Sequence, residues 1–191
     1  MIFSIIESIH TGEQFVGGEI YLLVPWELLL EEGSLSSSQF DNLLEVAAAD
    51  PLVFDEVMRG ILHSNSCIRM LAAGMVEKIT RVRPLFLTPY KRVLLKEIAE
   101  IEEVAVRLQI ALLYGRILWD EWDMQQAVAL LKNWAQSEET ELIINAMQSL
   151  YTLATQKAWI HPTFAEVYNM VCKHPSLAVR EAAGNLQCDF M

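Results

Sequence analysis

Ile68-Arg69-Met70-Leu71-Ala72-Ala73 sets a branched apolar residue beside an arginine and places two alanines one helical turn later. Val106-Arg107-Leu108-Gln109-Ile110-Ala111 repeats that order. Leu142-Ile143-Ile144-Asn145-Ala146-Met147 keeps it with isoleucine in the arginine position, and Val179-Arg180-Glu181-Ala182-Ala183 carries it one residue shorter. The four openings are spaced by 38, 36 and 37 residues. An internal period of that length marks an array of stacked helical pairs, in which each pair buries its apolar face against its neighbours.

The residues downstream of each opening support this reading. Ile68, Leu71, Ala72, Met75, Val76 and Ile79 recur at i, i+3, i+4, i+7, i+8 and i+11, the apolar stripe of an amphipathic helix. Val106, Ile110, Leu113, Tyr114 and Ile117 form a second stripe, interrupted at Gln109. Leu142, Ala146, Leu150 and Leu153 form a third, with Asn145 and Ser149 as its weak positions; Val179, Ala182, Ala183, Leu186 and Phe190 form a fourth.

Half a period earlier stands a second marker. Asp50-Pro51 and Thr88-Pro89, 38 residues apart, each put an N-cap residue before a proline at the first helical position, where the missing N–H costs nothing. His161-Pro162 follows two periods later, and the pair starting near Trp122 lacks the proline. These starts predict shorter first helices over residues 52–62, 90–98, 122–134 and 163–172. The polar breaks between helices are short, as antiparallel pairs require, and no strand alternation competes over residues 50–191. The expected repeats are 50–82, 84–119, 121–157 and 161–191.

In these features the chain resembles the HEAT repeat family of ARM-like α-solenoids, where a first helix often opens with proline and a second with Val-Arg followed by alanine. The resemblance covers residues 50–191 and is strongest at 84–118 and 175–186. It implies an all-α, right-handed α-α superhelix of about four pairs, with a binding face made mainly from the second helices. The family's turn aspartate is replaced here by Asn65, Glu102, Glu138 and Ser176, and Ile143 interrupts the arginine series. Residues 1–49 are read as a divergent N-terminal helical cap of the same domain. Helices are expected near 19–30 and 39–49, the segment 12–18 is read as a loop with a short strand at 15–16 as its alternative, and the serine-rich connection at 31–38 ends in an N-cap.

Composition narrows the function. The 14 Lys plus Arg against 25 Asp plus Glu leave a formal charge of -11, which opposes a duty centred on gripping phosphate backbones. An apolar share of 53% is enough to fold the chain. The most apolar run, 20–30, contains Pro25 and Glu27 and is too short to span a membrane. Glu7 and the lack of an early basic region do not suit a secretory signal. Cys67, Cys172 and Cys188, odd in number and scattered, suit reduced thiols, so the expected location is cytoplasmic.

Few residues suggest chemistry. His10, His63, His161 and His174 make no metal pair at helical spacing, and His161, Cys172 and His174 match no zinc motif. Phosphate-loop, dinucleotide and nucleophile-elbow glycine patterns are missing. Cys172, beside Lys173 and His174, is read as a buried structural cysteine in preference to an activated thiol. No cofactor, metal or catalytic residue is expected.

Two clusters are candidate partner-binding residues. Trp119, Asp120, Trp122 and Asp123 loosely resemble the aromatic and carboxylate surface of HEAT-like DNA glycosylases; the preferred reading packs both tryptophans at a turn, with Asp120 or Asp123 capping the next helix. Glu97, Glu100, Glu102 and Glu103 surround one within-pair turn and Glu138, Glu139 and Glu141 the next, which a stacked array would bring to one edge as an acidic ridge. The expected function is a non-enzymatic scaffold or adaptor for a partner protein, a basic one if the ridge is used. A HEAT-like DNA glycosylase or nucleic-acid-binding protein, and an inhibitory or immunity-type regulatory subunit, are the alternatives.

Overall fold

Ser36 and Gln39 close a capping box: Gln39 N donates to Ser36 Oγ at 3.3 Å and Ser36 N to Gln39 Oε1 at 2.9 Å. This reciprocal satisfaction of two orphan donors starts helix α1, Ser37–Ala49, two residues before the cap expected at Ser38. The computed structural model describes Val24, Trp26 and residues 36–186, and among them all regular structure is helical. The readings made for 1–23 and 27–35, including His10 and the loop or strand near Phe15, lie outside the described residues, as do Cys188 and Phe190.

The chain divides into two compact units, residues 1–59 and 60–191. In the first, α1 buries Leu43 and Ala47, and α2, Pro51–Gly60, buries Val53, Phe54, Val57 and Met58. Asp50 ends one helix and starts the other. Its N–H donates to the Val46 carbonyl, and its Oδ1 accepts from Leu52 N at 2.8 Å, so Pro51 sits where its lack of an N–H is harmless.

The second unit contains α3 (Ser66–Val82), a 3-10 segment (Pro84–Tyr90), α4 (Lys91–Lys96), α5 (Val104–Tyr114), α6 (Glu121–Trp134), α7 (Thr140–Gln156), α8 (His161–Val171) and α9 (Leu177–Gly184). Short 3-10 turns, Ile98–Glu100 and Ala158–Ile160, follow α4 and precede α8. The second helices form a continuous layer, α3 against α5, α5 against α7 and α7 against α9. In the other layer α4 packs on α6, while α6 and α8 pack on α7. This is an all-helical stack of repeated pairs of the α-solenoid kind.

One first helix departs from expectation. Thr88 does not cap an α-helix, because Pro84 opens a 3-10 segment that runs through Pro89, and α4 begins only after Tyr90. Pro84 opens the segment, and Pro89, five positions on, removes a donor from the i→i−4 ladder inside it, so the chain takes the tighter turn instead. The last helix pair is also shifted: α8 begins at His161 itself, with Ile160 as its N-cap and Pro162 in the first turn.

An aromatic cluster fills the centre of the second unit. Tyr114 is fully buried, with ring centroids 5.6 Å from Trp119 and 5.5 Å from Trp134. Its hydroxyl donates to the Leu94 carbonyl at 2.6 Å, in the final turn of the abbreviated α4, and the Trp119 indole donates to the Tyr114 carbonyl at 2.9 Å. Burial raises the Tyr114 hydroxyl well above its ordinary pKa and keeps it a donor.

Neighbouring second helices are also tied by polar contacts between residues about one period apart. Asn145 Nδ2 donates to the Leu108 carbonyl at 2.9 Å and Ser149 Oγ to the Ala111 carbonyl at 2.7 Å, joining α7 to α5. Gly115 makes that approach possible: a Cβ there would meet Ser149 Oγ at 3.0 Å and its Cα at 3.1 Å. The Cα belongs to the helix backbone and cannot rotate away. Gly115→Ala is therefore expected to cost about 1–3 kcal/mol by overpacking, read as a lower urea midpoint at unchanged m-value. An unaltered midpoint would show that the two helices separate freely.

Candidate binding surfaces

The recurring arginines have a common task. Arg69 Nη1 donates to the His63 carbonyl at 2.7 Å, Arg107 Nε to the Ile101 carbonyl at 2.6 Å and Arg180 Nη1 to the His174 carbonyl at 2.6 Å. Each reaches six residues back to hold the turn that precedes its own helix. Their recurrence in register favours a structural role over a recognition one, and this geometry is structural. Ile143 cannot do this and is buried, and the third turn is held by Ser137 Oγ, which accepts from Glu139 N at 3.1 Å. A feature missed in the sequence is that His63 and His174 are themselves turn acceptors: their Nδ1 atoms take Asn65 N at 3.0 Å and Ser176 N at 3.2 Å. The two histidines lie 111 residues apart, three periods, and that spacing was the available signal.

These turns carry the acidic residues. Glu97 and Glu100 stand at the two ends of the 3-10 turn after α4, Glu102 and Glu103 precede α5, Glu138 and Glu139 precede α7, and Glu141 lies in its first turn. Glu103 is half-buried in an ion pair with Arg69 that joins two successive within-pair turns. The other six are exposed and make no ion pair with a described residue. Glu103 and Glu139 occupy N-cap positions without a side-chain capping bond.

The tryptophan–aspartate block is dispersed. Trp119 is buried, as expected, but Trp122 is 72% exposed and does not pack at the turn. The register of α6 explains this: Met124, Ala127, Val128 and Leu131 form its buried stripe, and Trp122, in the first turn, points away from it. Asp120 is the N-cap, its Oδ1 accepting from Asp123 N at 3.0 Å. That bond holds the Asp120 carboxyl below the usual carboxylate range, while partial burial and then the Asp120 charge push Asp123 up. Because Asp120 starts α6 and Glu138 follows its end, a helix of 14 residues, about 21 Å, separates this block from the next acidic turn. A single compact site cannot use both.

Cys172 is a further correction. It is exposed at the C-terminal end of α8, because Phe164, Val167 and Val171 take the buried face and leave the next position outside. Among the described residues no group of three His, Cys, Asp or Glu side chains is placed to hold a metal ion, and no helix is long and apolar enough to cross a membrane.

Two features escaped the sequence reading. Glu77 is 2% exposed and accepts from Arg81 Nε at 2.8 Å and Arg116 Nη2 at 2.5 Å, the second across the α3–α5 seam. Arg116 Nη1 also donates to the Glu77 carbonyl at 2.7 Å and Thr80 Oγ1 at 3.0 Å. Burial pushes the Glu77 carboxyl up, but the two guanidinium groups outweigh it and hold the group below its usual range. The second feature is a groove between α4 and α6, lined by Arg92, Leu95, Lys96, Trp122, Asp123 and Gln126. The run Lys91-Arg92-x-x-x-Lys96 in so acidic a chain was its sequence signal. Comparison with protein-family models, curated proteins and solved structures finds no match to the chain.

Proposed function

We propose that the chain is a HEAT-like, right-handed solenoid that acts as a cytoplasmic, non-enzymatic scaffold and binds a basic protein segment along its within-pair turns. The carrying observation is the set of exposed carboxylates at Glu97, Glu100, Glu102, Glu138, Glu139 and Glu141, which no described cation neutralises. The Arg69–Glu103 pair supports stacking of the within-pair turns along one edge, since it ties the acidic turn before α5 to the turn before α3. Clamped turns order little on binding, so they can gain affinity without a large folding cost. Unpaired surface carboxylates steer a cationic partner over roughly a Debye length, about 8 Å at physiological salt.

The test is calorimetric titration with an arginine- and lysine-rich peptide at low and physiological salt. Wild-type binding should weaken with salt, and the Glu102→Lys, Glu138→Lys, Glu139→Lys triple variant should bind at least about tenfold more weakly, the equivalent of 1.4 kcal/mol. Equal affinity of both proteins, or affinity indifferent to salt, would remove the acidic edge from consideration.

A further inference from the structure

We infer that the groove between α4 and α6 docks a short acidic peptide segment bearing an aromatic residue. Three of the chain's 14 cations, Lys91, Arg92 and Lys96, lie within six residues on α4. None makes an ion pair with another described residue within 4 Å, whereas Arg59, Arg69, Arg81, Arg116 and Lys132 all do. Arg92 and Lys96, one helical turn apart, line one side of the groove, with Leu95 half-buried between them. Trp122 and Gln126, likewise one turn apart, line the other, and Trp122 exposes 72% of its surface.

Each part of this surface selects something. Arg92 and Lys96 offer fixed positive charge to carboxylates, the guanidinium in a fork suited to bidentate pairing. Trp122 and Leu95 offer an aromatic face and an apolar floor for one side chain, and a cation beside the ring adds to its hold. Gln126 and Asp123 can take the N–H groups of an extended backbone, with the Gln126 amide also donating to a carbonyl. The charge is one-sided: cations line α4, and Asp120, Glu121 and Asp123 stand at the start of α6. A nucleic-acid strand, negative along its whole length, would set phosphates against those acids. A peptide can place its carboxylates toward α4 alone and turn its backbone and aromatic ring to α6.

This inference rests on reading the chain as a binding scaffold but uses residues separate from the acidic turns, so the two can fail independently. The experiment is selection of a phage-displayed random dodecapeptide library on the full chain. The enriched peptide is then synthesised and titrated by fluorescence anisotropy against the wild type, Trp122→Ala, the Arg92→Glu, Lys96→Glu double variant and the acidic-turn triple variant. All substituted side chains are substantially exposed, and circular dichroism checks that the fold is kept. The expected result is a consensus with acids flanking an aromatic residue, at least tenfold weaker binding to both groove variants and unchanged binding to the turn variant. A basic consensus, or binders indifferent to Trp122→Ala, would overturn it. So would displacement of the peptide by a 12-nucleotide oligothymidylate that itself loses affinity for Trp122→Ala, which would assign the groove to single-stranded nucleic acid.

Discussion

Replacing Arg116 with alanine is expected to lower stability by about 3–5 kcal/mol at neutral pH, the typical cost of leaving a buried charge without its partner. Glu77 is 2% exposed, and among the described residues Arg116 supplies its only bond from another helical pair, along with donors to the Glu77 carbonyl and Thr80. The remaining partner, Arg81, is itself 63% exposed, so its help is screened by solvent. Replacing both ends at once, Glu77→Leu with Arg116→Met, should recover most of the loss, because no charge is then stranded. Urea unfolding of the single and double variants at pH 7 measures this, and a single-variant loss below about 1 kcal/mol would refute a buried-charge account.

The same pair sets a pH dependence. The folded-state carboxyl of Glu77 is held below its ordinary value of 4.5. Its stabilisation is therefore complete above that value and is lost as pH falls through the lower, folded-state one. In Arg116→Ala one of the two cations that oppose burial is gone, Arg81 alone remains, and burial pushes the carboxyl up from its wild-type position. The gap between wild type and variant should be widest near neutrality and should shrink in acid, where both proteins carry Glu77 protonated. A gap that is constant from pH 7 to pH 3 would contradict this assignment.

Tyr114→Ala is the second large effect, about 3–5 kcal/mol, with Tyr114→Phe costing about 1–3 kcal/mol. The alanine variant opens a cavity between Trp119 and Trp134, rings that lie 5.6 and 5.5 Å from the tyrosine. The phenylalanine variant keeps the packing and strands the Leu94 carbonyl that the hydroxyl serves. The difference between the two separates packing from hydrogen bonding. Near-neutral stability of Tyr114→Phe would mean that water or another donor reaches that carbonyl.

The second helices were legible because their burial follows a single stripe: Ile68, Ala72, Met75, Val76 and Ile79 are all buried in α3 as the periodicity requires. The positions that seemed to weaken the third stripe, Asn145 and Ser149, are instead donors to carbonyls of the neighbouring helix. One sequence cannot distinguish a poor core residue from a good seam residue, since the difference lies in what stands opposite. Proline was ambiguous for a related reason. Asp50-Pro51 and Thr88-Pro89 look alike locally, and only Pro84 upstream decides that the second runs as a 3-10 segment. Trp122 and Cys172 were misassigned because a shift of one position on a helix, about 100°, moves a side chain from core to water. The acidic turns were visible in the sequence, while the α4–α6 groove depends on contacts between helices about 30 residues apart.

The seams between successive pairs are closed by different chemistry. A carboxylate and a guanidinium lock α3 to α5, whereas an amide, a hydroxyl and a missing Cβ lock α5 to α7. The turn clamps, by contrast, follow one pattern, each arginine reaching back to the turn before its own helix. Individual pairs thus carry like turns but unique joints. Excising or reordering one would bring together faces that do not match, so the array has a fixed order and cannot be shuffled like interchangeable modules.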